Sequence, residues 1–244
     1  MDNQTRLFGN QTKQNWIDLR TRIILSSDDI KFWEQATDLF QKRIETRYFK
    51  PINKIQHMRI YSGEGFSVMT LMCSLIEFLQ SCYEGKSYDY KLSNKPDTKI
   101  AYGKSKEMFK RFLIQHEPFK AIFDNNLSKP YGNIRTFADD FYINVRCGLL
   151  HEATINNKWI IKTNKVGYGF NEFIDISNEN RKIIYRDNFF ETIKSYCDSY
   201  IQKIISNKSD DINGSLRDNF CRKLDCLCLI EDKTANWWLI EGNV

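Results

Sequence analysis

Proline and glycine are scarce in this 244-residue chain, at 4 and 11, so few positions interrupt a helix or demand an unusual backbone angle. No stretch approaches about 18 uninterrupted apolar residues, so no membrane span is expected. Met1 to Asn15 is polar and lacks an apolar signal core, so export by that route is not expected and a cytoplasmic location is. The seven cysteines form no CxxC pair and are expected to be reduced thiols. Cys221, Cys226 and Cys228 stand in CRKLDCLC with no histidine nearby, so a thiol-lined helix face is expected there rather than a zinc site. GxSxG, HExxH, P-loop and GxGxxG motifs are all missing, and neither a metal nor another cofactor is expected.

What remains is an ordinary globular composition, 41% hydrophobic and 27% charged. The length divided by about 150 residues gives roughly 1.6 domains. A net charge of +5 permits a nucleic-acid partner without requiring one. AT-rich coding, visible in the many Ile, Asn and Lys residues, accounts for part of the lysine content.

Apolar residues recur mostly at helical spacing. Ser27, followed by Asp28 and Asp29, reads as a helix start. Ile30, Trp33, Ala36, Thr37, Phe40 and Ile44 then share one face up to Pro51, which is expected to close the helix. The most hydrophobic helix is expected over Phe66 to Tyr83. Its polar residues Ser67, Thr70, Ser74, Glu77 and Ser81 step by three and four into one narrow seam. That seam reads either as the solvent edge of a buried helix or as the polar wall of a site.

Residues 84 to 103 read as a loop. Helices are expected from about Ser105 to Asn125, with a kink at Pro118, and from about Asn133 to Glu152. Lys158 to Thr163, Glu172 to Ile176 and Lys182 to Arg186 are short apolar runs that suggest a β-hairpin or three-stranded insert. Asn188 to Ser206 and Gly214 to Glu231 read as closing helices. The fold class is therefore mainly α with a small β insert at about 158–186.

The chain has only three histidines, His57, His116 and His151. His57 and His116 have no neighbours that suggest a site. His151 ends the segment ADDFYINVRCGLLHEA. On an α-helical wheel, Ile134, Phe137, Ala138, Phe141, Val145 and Leu149 form the core stripe, while Asp140, Asn144, Cys147 and His151 fall within about 40° of one another. Arg146 lies on the other side of the core stripe. Ile143 and Leu150 occupy the sector between Arg146 and His151, an apolar strip that wants a second helix or a second copy of the chain. Positions five apart lie about 140° apart on an α-helix, so Arg146 and His151 converge only if the helix unwinds near Gly148 or a partner completes the site.

Arg146-Cys-Gly-Leu-Leu-His151 is an R-x4-H sequence in a helical, aromatic-rich setting. It resembles the R-x4-6-H signature of HEPN domains, helical domains shared by higher eukaryotes and prokaryotes. The Gly63-Glu64-Gly65 loop, the long apolar helix and the β insert after the motif extend the resemblance loosely over residues 28 to 206. It implies a HEPN-like bundle of four or five helices filling residues 28–244 as one domain, with residues 1–27 as an N-terminal extension. It also implies dimerisation through the motif helices, and metal-independent RNA cleavage in antiphage defence, abortive infection or a toxin–antitoxin module. An antitoxin or defence-system protein is then an expected partner. Many catalytic members carry Asn, Asp or His directly after the arginine; this chain has Cys147, which bears on its competence.

The residue types suit that chemistry. RNA carries its own nucleophile, the 2′-hydroxyl. Cleavage needs a group that moves a proton near neutrality, the ordinary role of histidine. It also needs a fixed positive charge on the phosphate, which the planar guanidinium supplies. Arg146 and His151 are accordingly the catalytic candidates, Glu77, Tyr142, Asn144 and Cys147 the supporting ones, and Ile143 and Leu150 the candidate dimer contact.

Other readings stay open. Arg146 pairs with Asp139 or Glu77 while His151 caps its helix end; an inactive HEPN-like module binds RNA, a nucleotide or a partner protein; or the chain is a helical antitoxin or assembly subunit. A nucleophile built from Cys147 and His151 lacks a recognisable oxyanion hole.

Overall fold

A computed structural model describes residues 1–58, 63–156, 158–164, 172–207 and 216–239. In chain order the elements are β1 (Arg6–Phe8), β2 (Gln11–Thr12), α1 (Lys13–Leu25), α2 (Ile30–Ile44), a π-helical turn (Glu45–Phe49), α3 (Lys50–His57), α4 (Glu64–Tyr83), β3 (Ser87–Tyr88), β4 (Ala101–Tyr102), α5 (Ser105–Gln115), α6 (Lys120–Phe123), β5 (Asn126–Tyr131), β6 (Ile134–Thr136) and α7 (Phe137–Phe141). A π-helical segment (Tyr142–Glu152) follows, then β7 (Trp159–Lys162), β8 (Ile174–Asp175), β9 (Lys182–Tyr185), α8 (Arg186–Ser206) and α9 (Leu216–Leu227). The fold is mainly α with small sheets, as the helical periodicity implies.

The chain forms two compact units where the sequence reading expects one domain. One unit gathers residues 1–51, 81–104 and 198–244; the other gathers 52–80 and 105–197. The expected N-terminal extension is structured, because Leu7, Phe8, Trp16, Leu19 and Ile23 are all buried. In that first unit Phe40, Tyr200 and Phe220 meet edge to face at centroid distances of 5.6 to 6.3 Å. The start of α2 lies two residues later than expected: Asp29 is its cap and accepts the Lys31 N–H at 3.0 Å. Pro51 does not end the helix. The π-helical turn just before it shifts the backbone ladder by one residue, which relieves the clash a proline ring makes with the carbonyl four back.

The second unit holds α5 to α7, the π-helical segment, the β insert and most of α4 and α8. Its core is aromatic. Phe141 sits 5.1 to 6.2 Å from the rings of Phe109, Phe123, Trp159 and Phe189. In α4, Val68, Met69, Met72, Leu75, Ile76 and Leu79 are buried, and Ser67 and Ser74 are exposed, so the polar seam begins as the solvent edge of a core helix. This helix is long and apolar enough to cross a bilayer by length and composition alone, with a mean hydropathy of 1.3 over its best window, and 56% of that window is buried inside the fold. The break at Pro118 is present, between α5 and α6.

The insert is the three-stranded alternative, ordered β7-β9-β8. β7 runs parallel to β9, with Trp159 beside Lys182, and β8 runs antiparallel to it. Residues 165–171 of the insert, and 214–215 at the expected start of the last helix, lie outside the described residues. A further expected helix boundary is corrected. Asn133 belongs to a β5–β6 hairpin that turns through Gly132 at φ 52°, and the helix begins only at Phe137. Thr136 and Asp139 cap it reciprocally: the Asp139 N–H donates to the Thr136 hydroxyl at 3.1 Å, and the Thr136 N–H to the Asp139 carboxylate at 3.3 Å.

Candidate functional site

The candidate site lies in the second unit and starts from the backbone of the motif segment. From Tyr142 to Glu152 the ladder is π-helical: the Tyr142 N–H still bonds the Ala138 carbonyl four back, and the N–H groups that follow reach five residues back. Residues five apart therefore stack on neighbouring turns, as residues four apart do in an α-helix. This corrects the α-helical wheel. Arg146 and His151 follow one another on the same side of the segment, without unwinding at Gly148. The same winding removes the apolar strip, since seven residues are roughly a turn and a half of an i→i+5 ladder. Ile143 is half-buried and Leu150 is 47% exposed.

Gly148 makes the end of the segment possible. Ala153 takes a left-handed conformation at φ 50° and the chain turns back. The N–H groups of Ala153 and Thr154 both reach the Gly148 carbonyl, and the Asn156 N–H donates to the Asn144 carbonyl at 2.9 Å. A Cβ on Gly148 would lie 2.6 Å from the Thr154 carbonyl oxygen.

The guanidinium of Arg146 leaves this segment toward α4 and α5. Its Nη2 donates to the Ser105 hydroxyl at 3.1 Å and approaches the Glu77 carboxylate at 3.5 Å. Ser105 in turn donates a short hydrogen bond to the same Glu77 oxygen. The side chains of Arg146 and Glu77 are each 17% exposed. Arg146 also lies over the Tyr142 ring, 5.2 Å from its centroid, a cation–π contact. Its Nε and Nη1 make no hydrogen bond with a described residue, which leaves one edge of the fork uncommitted.

The surroundings are nearly dry. Burial pushes the Tyr142 phenol up to about 12, against the opposing pull of Arg146, and a hydrogen bond to the Cys147 thiol adds to the rise. Burial likewise pushes the Cys73 thiol up to about 12, with Arg146 again opposing. Both groups stay protonated through the physiological range. Arg146 is then the cation of this cluster, with Glu77 as its counter-charge.

The structure thus brings together Arg146, Glu77, Tyr142 and Cys147. It does not bring in Asn144, whose amide donates to Asp140 at 2.7 Å inside a buried network. The expected polar stripe divides accordingly, Asp140 and Asn144 turning inward while His151 stays exposed. His151 occupies the last turn of the segment and makes no hydrogen bond or ion pair with a described residue. Of the two acids weighed as partners for Arg146, Glu77 takes it; Asp139 is bound by Lys110 at 2.8 Å.

Sequence reasoning missed Ser105 and Cys73. Ser105 registers only as a helix start, and its link to Arg146 spans 41 residues. The spacing of five was itself a signal of the π ladder, because it fits that repeat and not the α-helical one. His116 has a packing role, its Nε2 lying 2.9 Å from Gln80 and 3.3 Å from the Tyr196 hydroxyl. Cys221 and Cys228 are buried, and burial raises both thiols. Among the described residues no group of three or more His, Cys, Asp or Glu side chains is placed to hold a metal ion.

No protein-family model matches the chain. No curated protein and no solved structure matches it either.

Proposed function

We propose that this chain is a metal-independent endoribonuclease of HEPN type, acting in the cytoplasm in antiphage defence, abortive infection or a toxin–antitoxin system. The observation that carries the reading is the π-helical winding of Tyr142–Glu152, which sets Arg146 and His151 on one side of a single segment. The fixed guanidinium, with an uncommitted edge, suits a phosphate whose charge grows in the transition state. The exposed imidazole suits proton transfer at the scissile bond.

In this reaction the 2′-oxygen forms a bond to phosphorus and the bond to the 5′-oxygen breaks. His151 takes the 2′-hydroxyl proton and then delivers it to the leaving 5′-oxygen, and Arg146 neutralises the phosphorane. The products are a 2′,3′-cyclic phosphate and a 5′-hydroxyl. A second copy as partner, and an antitoxin or another defence protein as regulator, come into this proposal with the HEPN resemblance, and the divided strip of Ile143 and Leu150 does not carry them.

A second reading is favoured by one observation. Glu77 already stands beside Arg146, and Cys147 replaces the polar residue expected next to it. An inactive HEPN-like module that binds RNA, a nucleotide or a protein is consistent with both. Incubating the protein with tRNA or total RNA in EDTA, beside His151→Ala, separates the two. Fragments with 5′-hydroxyl ends from the wild type alone support the enzyme; intact RNA in both samples supports the module.

A further inference from the structure

Residues 84–104 belong to the first unit and add little to its core, yet their backbone is fixed. β3 and β4 pair in parallel, Ser87 beside Ala101 and Tyr88 beside Tyr102. The Ser87 N–H donates to the Ile100 carbonyl at 3.0 Å, the Asp89 N–H to Tyr102 at 2.8 Å, and the Thr98 N–H to Ala101 at 2.8 Å. Gly103 closes the loop against the Leu92 backbone so tightly that a Cβ there would lie 2.1 Å from the Leu92 carbonyl carbon. Long ordered loops of this kind are seldom idle.

The loop turns outward what chains ordinarily bury. Tyr88 is 57% exposed and Tyr90 68% exposed, with the Tyr88 ring braced edge to face by Tyr102 at 5.5 Å. Lys91, Lys95, Lys99 and Lys104 of the same loop are also exposed. Its acids are drawn inward: Glu84 pairs with Lys86 at 3.0 Å, Asp89 accepts the Lys91 N–H, and Asp97 accepts the Gly103 N–H. Lys91, Lys95 and Lys104 make no ion pair with a described residue.

We infer that this loop is a binding surface for single-stranded RNA, the two tyrosine rings stacking on unpaired bases and the lysines following the phosphates. Two exposed rings in a loop with three lysines, Lys91, Lys95 and Lys104, that pair with no described residue match the two requirements of single-strand binding, stacking and backbone charge. A duplex keeps its base faces internal, and an acidic peptide needs the lysines but not the rings. The inference rests on the RNA substrate class of the proposed function and deepens it.

The test uses the full chain and a fluorescein-labelled 2′-O-methyl oligoribonucleotide, which lacks the attacking hydroxyl and cannot be cut, read by fluorescence anisotropy. Tyr90→Ala is expected to weaken binding about 5- to 150-fold, the fold-change of one lost base stack, and Tyr90→Trp to restore it. Lys91→Ala and Lys95→Ala are each expected to flatten the log–log salt dependence by about 0.7. Wild-type affinity in Tyr90→Ala, or no binding by the wild type at low salt, overturns the inference. Displacement of the oligonucleotide by polyglutamate with Tyr90→Ala unaffected also overturns it, in favour of an acidic protein partner. Cleavage is scored separately on unmodified RNA. Binding through the loop without cleavage in any sample sinks the ribonuclease reading alone; cleavage with an unaltered Tyr90→Ala affinity sinks this one alone.

Discussion

Lys182 Nζ lies 2.6 Å from Asp140 Oδ2, and neither side chain is more than 3% exposed. Asp140 also accepts from Trp159 Nε1 at 2.9 Å, Asn144 Nδ2 at 2.7 Å and the Tyr131 hydroxyl. One carboxylate thereby joins the β5–β6 hairpin, α7, the start of the motif segment and the β7–β9 pair. Removing one member of a buried ion pair strands the other charge and typically costs about 3–5 kcal/mol. Asp140→Ala and Lys182→Ala are each expected to lower protection of the β9 amides in hydrogen exchange by that order. Asp140→Leu combined with Lys182→Met is expected to recover only the part due to the stranded charge, because the Trp159, Asn144 and Tyr131 donors still lose this acceptor. Equal protection in both single variants and the wild type would remove this pair from the account.

Asp225 plays the corresponding part in the other unit. It is fully buried and accepts from Trp16 Nε1 at 2.8 Å, Arg20 Nε at 3.0 Å, Trp237 Nε1 at 2.8 Å and Trp238 Nε1 at 2.9 Å. An amide in its place offers one acceptor oxygen and no charge. Asp225→Asn is expected to destabilise this unit by several kcal/mol and to shift tryptophan emission to the red in denaturant titrations at lower midpoints. An unchanged midpoint would mean that the indoles find other acceptors.

Both hubs explain what was legible in the sequence and what was not. The core stripe Ile134, Phe137, Ala138, Phe141, Val145 and Leu149 is buried throughout, although only Phe137, Ala138 and Phe141 lie in an α-helix, with Ile134 in β6 and Val145 and Leu149 in the π-helical segment. The three strands of the insert were equally visible as short runs between turns. The partners of Asp140 and Asp225 were not, since they lie up to 209 residues away and no local pattern encodes them. The π winding escaped the wheel because the wheel assumes an α-helical repeat, and Gly148 fits either geometry until the returning Thr154 carbonyl is in place. The division into two units was hidden because each is assembled from separated stretches, without a linker rich in proline or glycine.

Gly148 gives a test that turns on sign. In an ordinary helix interior, Gly→Ala stabilises by about 1 kcal/mol. Here the new methyl group meets the Thr154 carbonyl oxygen at 2.6 Å, a backbone atom that cannot swing aside. Gly148→Ala is therefore expected to destabilise, with a lower urea midpoint. A raised midpoint would show that the return of the chain over Gly148 is not as described.

Asp139 sets an acid limit. Burial alone would raise its carboxyl, but the hydrogen bond and charge of Lys110, with the N–H groups of Arg135 and Thr136, hold it at about 2. Its folded value thus lies below the unfolded value of about 3.9. The stabilisation is complete above about pH 4 and is lost as the pH falls from there toward 2. Asp139→Asn keeps an acceptor for the cap without the charge, and is expected to show a shallower loss of stability between pH 5 and pH 2.5. Parallel acid profiles for variant and wild type would place the titrating group elsewhere.

The motif pair separates by its stability readout before any activity is measured. His151 is exposed and bonds to no described residue, so His151→Ala is expected to change stability by no more than about 0.5 kcal/mol. Arg146 is held by Ser105 and Glu77, so Arg146→Ala leaves a mostly buried carboxylate without its cation and is expected to cost more, about 1–3 kcal/mol. If the pair cuts RNA, His151→Ala loses about 10²–10⁴-fold in rate with its fold intact. Arg146→Lys is the sharper variant on the other side. It keeps a charge near Glu77 but loses the planar fork, so it is expected to retain most of the stability and little of the cleavage. Glu77→Gln keeps an acceptor for Ser105 while releasing the guanidinium from its counter-charge. In a ribonuclease that release alters the rate on unmodified RNA; in a binding module it changes only affinity. A His151→Ala protein that still yields 5′-hydroxyl fragments at the wild-type rate would reduce Arg146 and Glu77 to a packing contact between the motif segment and α4.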